Sequence, residues 1–117
     1  MLYNIKMLSR KYRASKDNIE ETIKNGFNIQ GNFVYAKVSR DKKDINTFAI
    51  IISKKAEKTS VGRHLIKRRI SSALEDIVKN GEKDYFKTIV FFYKKSEKVP
   101  ETSLFHKDIS EILGKVL

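Results

Sequence analysis

Cysteine is absent from the chain. Without it the protein has neither disulfides nor thiolate metal sites, which fits a reducing cytosol. Long apolar runs are also lacking: the longest are residues 48–52 and 89–93, whereas a membrane-spanning helix needs about 20 apolar residues. Residues 1–8 contain no long apolar core and no small-residue cleavage site, so they do not resemble a signal peptide. We therefore predict a soluble, cytoplasmic protein.

Clustered catalytic groups are missing as well. The chain has 14 acidic residues and two histidines, His64 and His106, and the acids are scattered without a metal-binding spacing. Cleavage of a phosphodiester by the protein alone would need clustered carboxylates that hold metal ions, or a positioned general base. The five glycines are isolated, so no glycine-rich phosphate loop is present. We predict no catalytic residue and no metal site in the protein itself.

Positive charge is what the sequence has in excess. Lysine and arginine number 25, the formal net charge is +11, and the isoelectric point is near 9.9. An anionic partner explains why so small a domain tolerates this self-repulsion. Nucleic acid and an acidic membrane surface both fit, but the C-terminal segment disfavours a membrane because its polar side mixes Lys107, Asp108, Glu111 and Lys115.

Hydrophobic periodicity in the first half of the chain predicts a basic arm, a helix and two or three strands within a single domain spanning 1–117. The arm covers residues 1–13. Ser15 or Asp17 caps a short helix that carries Ile19 and Ile23 at i,i+4 and ends near Gly26. Residues 27–38 alternate like a strand, with residues 33, 35 and 37 on one face. A polar turn at 40–44 then leads to a buried strand at 48–52.

The second half predicts a helix, a strand and a last helix. Residues 60–79 carry one apolar stripe that begins at Ile66 and Ile70, and Asn80-Gly81 ends that helix. Residues 88–93 form a buried strand, and a helix capped by Thr102 or Ser103 follows. The order α-β-β-(β)-α-β-α predicts an α+β fold, a two-layer α/β sandwich with a central sheet.

The charge is concentrated where the strand at 48–52 leads into the central helix. Residues 53–69 hold seven basic side chains and one acid, Glu57, a net charge of +6. At 100° per residue, His64, Lys67, Arg68 and Ser71 lie away from the apolar stripe. Cations beside a helix N-terminus suit phosphate, so we predict a phosphate-binding surface here.

This junction resembles the signature of the ribonuclease P protein family. The family pattern is a strand ending Ser-Lys-Lys, a short turn, and Arg-Asn-Arg-x-Lys-Arg opening a helix. Here Ser53-Lys54-Lys55 is followed by Arg63-His64-Leu65-Ile66-Lys67-Arg68. The order of elements is similar over nearly the whole chain. Two features depart from the pattern: the turn has one extra residue, and His64 and Leu65 replace the Asn and the second Arg.

The resemblance implies an RNA-binding subunit of an endoribonuclease that removes the 5′ leader from precursor tRNA. In that family the RNA subunit performs the chemistry with Mg²⁺, and the protein, which binds no cofactor of its own, enhances Mg²⁺ use. The implied partners are the catalytic RNA and precursor tRNA, with no DNA or membrane. The family also implies a left-handed β-α-β crossover. The implied RNA-binding residues are Lys54, Lys55, Lys58, Arg63, His64, Lys67, Arg68 and Arg69.

The same resemblance implies a cleft for the single-stranded leader between the sheet and the first helix. The residues that it places there are Tyr12, Ile19, Ile23, Phe33 and Tyr35. An alternative from the charge and the sheet alone is a general RNA-binding or ribosomal-protein-like module with no role in tRNA cleavage. A nuclease that acts without RNA is a further alternative, which the scattered acids disfavour.

Overall fold

A computed structural model describes residues 12–40, 46–80 and 87–116. In chain order the elements are α1 (Lys16–Asn25), β1 (Phe27–Gln30), β2 (Val34–Val38), β3 (Thr47–Ile51), α2 (Ser60–Asn80), β4 (Thr88–Tyr93) and α3 (Thr102–Leu113). The predicted α+β class is confirmed, and residues 27–38 form two strands, so the third strand of the first half is present. Most of the basic arm, residues 41–44 of the polar turn and Gly81 lie outside the described residues.

The four strands form one mixed sheet in the order β1-β2-β4-β3. The β1–β2 and β2–β4 pairs are antiparallel, whereas β3 and β4 are parallel and are connected through α2. Parallel neighbours need such a crossover because the chain has to return to the same end of the sheet. The left hand of this crossover stays a prediction.

The main core lies between the sheet and the two long helices, α2 and α3. Alternate residues of β2 and β4 face this layer, so Val34, Ala36 and Val38 are buried opposite Tyr93, Phe91 and Ile89. The helices contribute the predicted stripes. These are Ile66, Ile70, Ala73 and Leu74 of α2 and Phe105, Ile109, Ile112 and Leu113 of α3, all of them buried.

The short helix α1 covers part of the other face of the sheet. Val90 alternates with Ile89 and Phe91 and therefore faces away from the main core, yet it is fully buried, and α1 packs against β4 and β2. Ser15 caps α1 by accepting a hydrogen bond from the Asn18 amide at 3.2 Å. Helix α1 thus leaves the rest of this face accessible.

Gly26 ends α1 because the chain passes close to β2 at this point. Its amide donates to the Thr22 carbonyl at 2.8 Å. A Cβ at position 26 would lie 2.5 Å from that carbonyl oxygen and 2.6 Å from the Val38 carbonyl oxygen. The predicted glycine stop is therefore confirmed, and its cause is close backbone approach.

Three details of the helices differ from the prediction. Ser71 was predicted to lie away from the apolar stripe of α2 but is only 1% exposed. The buried face of α2 is therefore wider than its apolar residues alone indicate. Glu101, without a side-chain cap, precedes α3, and both Thr102 and Ser103 lie inside the helix. Asp108 was predicted on the polar side of α3 but is 2% exposed, since its carboxylate accepts hydrogen bonds from backbone amides of the β1–β2 turn.

Candidate nucleic-acid interface

The segment between β3 and α2 is a compact turn that carries three exposed lysines, and we call residues 53–59 the basic turn. The Ser53 carbonyl accepts hydrogen bonds from the Ala56 and Glu57 amides, both at 3.1 Å, and the Ser53 hydroxyl accepts a second bond from Ala56. The partly buried Ala56 packs against the hydrophobic core. Lys54, Lys55 and Lys58 are therefore displayed on a turn that backbone and side-chain bonds hold closed.

Glu57, the one acid of the segment, lies at the N-terminus of α2. Its Oε2 accepts hydrogen bonds from the Thr59 amide at 3.3 Å and from the Thr59 hydroxyl at 2.9 Å. That hydroxyl in turn accepts from the Gly62 amide at 3.0 Å. A carboxylate and a hydroxyl therefore already accept from two amides, those of Thr59 and Gly62, at the helix N-terminus predicted to suit phosphate. The negative charge of Glu57 there makes the cations the main source of anion-binding character in this region.

The outward face of α2 continues the positive surface of the basic turn. Lys67 and Arg68 are exposed, as their spacing from Ile66 and Ile70 predicts, and His64 is half-buried. Leu65 is 37% exposed and lines an open groove of about 330 Å³ with Arg68, Ser72 and Thr102 among its walls. Residue 65 thus presents an apolar side chain within a cationic surface.

Two of the predicted RNA-binding arginines are engaged with the protein backbone. Nη1 of Arg63 donates to the Glu57 carbonyl at 2.9 Å and to the Lys58 carbonyl at 2.8 Å. Nη1 of Arg69 donates to the Pro100 carbonyl at 2.8 Å and joins α2 to the segment before α3. Both side chains are half-buried, so each has a structural function in addition to its charge.

The accessible part of the second sheet face carries a stacked aromatic pair. Tyr35 of β2 and Phe92 of β4 are register partners, and their rings lie 4.9 Å apart at an interplanar angle of 10°. Ile51 of β3 is the register partner of Phe92 on its other side. On α1, Ile19 is half-buried and Ile23 is 37% exposed. Sheet and helix therefore present apolar and aromatic side chains beside each other.

Phe33 does not share this face with Tyr35, contrary to the prediction. It precedes β2 in the β1–β2 turn, where strand alternation does not yet hold, and its ring packs edge-on against Phe105 with centroids 6.5 Å apart. Tyr12 packs against the core as a partly buried side chain, close to where the Ala14 amide donates to the Phe48 carbonyl at 2.9 Å beside β3.

Two residues of this region were not predicted from the sequence, the half-buried Phe92 and the exposed Lys95. Phe92 was predicted only as part of a buried strand, although its alternation with Phe91 and Tyr93 places it on the other face. Lys95 follows β4 and is exposed. Because β3 and β4 are parallel, residues after both strands meet at one end of the sheet. The strand-helix-strand order could have indicated that Lys95 lies near the basic turn.

Within the described residues, no three histidine, aspartate or glutamate side chains are grouped so as to hold a metal ion. His106 instead contacts Asp76, with Nε2 2.9 Å from Oδ2, and links α3 to α2 at the surface. None of the helices in the same ranges is long and apolar enough to cross a membrane. The side chains that this surface presents are cationic and aromatic.

Comparison with known proteins gives a family and a set of similar structures. A family model described as Ribonuclease P matches residues 8–117. A Staphylococcus aureus RNase P protein is 20% identical, with a TM-score of 0.71 over 94% of this chain and 92% of that one. A mutant of the S. aureus protein, described as having defective mRNA degradation activity, is 20% identical, with a TM-score of 0.72 over 90% and 87%.

A third structure, the S. aureus RNase P protein at 2.0 Å, is 17% identical, with a TM-score of 0.65 over 90% of this chain and 96% of that one. At these identities the structural likeness shows a shared fold. No curated protein sequence matches the chain significantly.

Proposed function

Because this chain belongs to the ribonuclease P protein family, we propose that it binds the catalytic RNA of ribonuclease P and the 5′ leader of precursor tRNA, and that it assists leader removal. The observation that carries this proposal is a juxtaposition at one end of the sheet. The basic turn follows β3 there, and Phe92, stacked on Tyr35, lies beside Ile51, the last residue of β3. A cationic surface and an aromatic platform thus adjoin.

The cationic part suits folded RNA. Lys54, Lys55 and Lys58 of the basic turn and Lys67 and Arg68 of α2 all reach solvent. Each cation that replaces a condensed counterion at a phosphate gains affinity through release of that ion. A structured RNA presents phosphates from neighbouring strands, so a broad surface fits it better than a single pocket would. We assign docking on the RNA subunit to this surface.

The aromatic part suits single-stranded RNA. Unpaired bases stack on aromatic rings, and each such contact is worth about 1–3 kcal/mol. Tyr35 offers a half-buried ring on the sheet, while Ile19 and Ile23 of α1 offer apolar contact without stacking. A leader lying between α1 and the sheet would meet both. We assign leader binding to this cleft.

Leader cleavage depends on Mg²⁺ that the RNA subunit binds, and that chemistry belongs to the RNA. The protein's contribution is to lower the repulsion between the two RNAs and to hold the substrate against the catalytic RNA. Less Mg²⁺ is then needed to neutralise phosphates, which is how a cationic subunit raises activity at low Mg²⁺. The assembly works in the cytoplasm, where precursor tRNA is made.

Reconstitution with ribonuclease P RNA tests the proposal. At low Mg²⁺ the wild-type protein should strongly stimulate removal of the 5′ leader from precursor tRNA. Arg68→Ala should need a higher protein concentration for half-maximal stimulation than Arg40→Ala, a matched exposed arginine outside residues 53–69. Cleavage is followed on gels with end-labelled substrate. Equal losses in the two variants would show that bulk charge, and not this surface, binds the RNA.

Two competing functions are separated by the same experiment. A general RNA-binding module would bind the RNA without stimulating cleavage. A nuclease acting alone would cleave precursor tRNA or mRNA when the RNA subunit is omitted. The reaction without the RNA subunit is included because one of the similar S. aureus proteins is described as a mutant with defective mRNA degradation activity. Stimulation that requires both subunits is the result that supports the proposal.

A further inference from the structure

We propose that Arg63 is a positioning residue that fixes the basic turn in its RNA-binding shape through its bonds to the backbone. This inference rests on the proposed binding of the RNA subunit by the basic turn. It differs from the role that the family resemblance implies for the residue, which is contact with RNA. The structural reason is that the guanidinium of Arg63 bonds to the backbone of the segment that carries the lysines.

The contacts of Arg63 span the end of the basic turn. From the first turn of α2, its Nη1 reaches back to two successive carbonyls, those of Glu57 and Lys58, at 2.9 and 2.8 Å. Its own amide donates to the Thr59 carbonyl at 3.0 Å. The side chain of Arg63 therefore connects residues 57 and 58 to the first turn of the helix, and its amide connects Thr59 to the same turn.

Hydrogen bonds within the basic turn keep it closed, so that the contacts of Arg63 hold the whole turn against α2. Ser53 closes the first half of the turn through Ala56 and Glu57. The Glu57 carboxylate closes the second half through Thr59. Arg63 bonds to two carbonyls of that segment from outside it, so it connects the closed turn to α2. Lys54, Lys55 and Lys58 then have their backbone positions set relative to Lys67 and Arg68.

A fixed backbone matters for binding because ordering a loop on association reduces affinity. Lysine side chains are flexible point charges, whereas the arginine guanidinium is planar and presents several donors at fixed angles. Lysine at position 63 would keep the charge but would not reproduce the pair of hydrogen bonds to the two adjacent carbonyls. The charge and the geometry of Arg63 can therefore be separated by one substitution.

The experiment compares Arg63→Lys with Arg40→Lys in titrations with ribonuclease P RNA. Arg40 is a matched control because its Nε also donates to a backbone carbonyl, that of Asn25, at 2.9 Å, but outside the basic turn. We expect Arg63→Lys to weaken binding by roughly tenfold and Arg40→Lys by less than about twofold. The dependence of log affinity on log salt should keep its slope in both, since no charge is removed.

The same substitution is then made in a protein that lacks the three lysines, Lys54→Ala/Lys55→Ala/Lys58→Ala. If Arg63 acts through the lysines, Arg63→Lys should weaken binding there by less than about twofold. The reason is that the effects of coupled sites are not additive, and a double-mutant cycle measures this difference. A general loss of stability would weaken binding in both backgrounds and would lower the midpoint of thermal unfolding. Equal weakening in the two backgrounds would overturn the proposal, as would wild-type affinity of the Arg63→Lys protein.

A second variant keeps the test decisive if Arg63→Lys does not fold. Ser53→Ala removes the hydroxyl that accepts from Ala56 at 3.1 Å and changes no charge. It should weaken binding by roughly threefold in the wild-type background and have no effect in the triple variant. No effect in either background would overturn the proposal. Failure of the wild-type protein to bind the RNA would instead refute the proposed function itself, and the two failures are thus distinguishable.

Discussion

At the scale of single residues, a buried carboxylate with three backbone partners lies away from the candidate site. The Asp108 carboxylate of α3 accepts three backbone hydrogen bonds, from Asn32 at 2.7 Å, Phe33 at 2.9 Å and Val34 at 3.0 Å. A Cβ on Gly31 would lie 2.6 Å from one of its oxygens. The buried carboxylate therefore joins the last helix to the β1–β2 turn and excludes any larger residue at position 31.

Asp108→Ala should therefore destabilise the protein strongly. It leaves three backbone amides of a partly buried turn without their acceptor, and each bond to a charged group contributes about 1.5–3 kcal/mol. We expect a loss of about 3 kcal/mol or more in the free energy of unfolding, measured by urea titration. Asp17→Ala, at an exposed residue in the first turn of α1, should cost less than about 1 kcal/mol. Similar losses in the two variants would contradict this account of Asp108.

Asp108 also shows where sequence reasoning fails for single residues. Its neighbours Lys107 and Glu111 are exposed as predicted, but its partners lie about 75 positions earlier in the chain. Helical periodicity assigns a side chain to a face and contains no information on such distant contacts. Arg63 and Arg69 illustrate the same point, because their charge was evident while their backbone partners depend on the fold.

At the scale of elements, the prediction succeeded where one periodicity ran uninterrupted. The strand at 88–93 and the apolar stripe that starts at Ile66 were predicted from spacing alone. Phe33 was misplaced because a turn breaks the alternation of residues 27–38. The stacking of Tyr35 on Phe92 depends on which strands are neighbours, and sheet order cannot be read from local pattern.

The cleft between α1 and the sheet should discriminate substrates by their leader. Tyr35→Ala removes the half-buried Tyr35 ring from the stacked pair, and loss of one base-stacking contact of about 1–3 kcal/mol weakens binding about fivefold to 150-fold. We expect this loss for precursor tRNA bound by the reconstituted holoenzyme. Leaderless tRNA is the control and should bind equally to both proteins. Tyr35→Phe, which keeps the ring, should behave as wild type.

One result of the Tyr35→Ala experiment would contradict leader binding in the cleft between α1 and the sheet. Equal weakening for precursor and leaderless tRNA would mean that Tyr35→Ala disturbs the protein or its docking on the RNA subunit. Thermal unfolding of the variant identifies the first cause, and titration with the RNA subunit alone identifies the second. Loss confined to the precursor is the only pattern that the cleft predicts.

At the scale of the whole molecule, the net charge of +11 is unevenly distributed. More than half of it comes from residues 53–69, which the fold places at the junction of β3 and α2. The exposed charges on and just after α3 are of both signs, with Lys107 and Glu111 in the helix and Lys115 beyond its end. The described residues therefore include a strongly cationic region at the junction of β3 and α2 and a more balanced one around α3.

The salt dependence of RNA binding should report this asymmetry. If five to seven phosphates are neutralised, log affinity should fall with log salt with a slope on the order of −4 to −6. Lys54→Ala/Lys55→Ala removes two of the contacts and should make the slope shallower by about 1.5 to 2. Lys107→Ala/Lys115→Ala removes the same charge from α3 and from the residues just after it, and should leave the slope close to its wild-type value. Equal changes would mean that RNA responds to total charge wherever it lies, and the basic turn would then have no special part in binding.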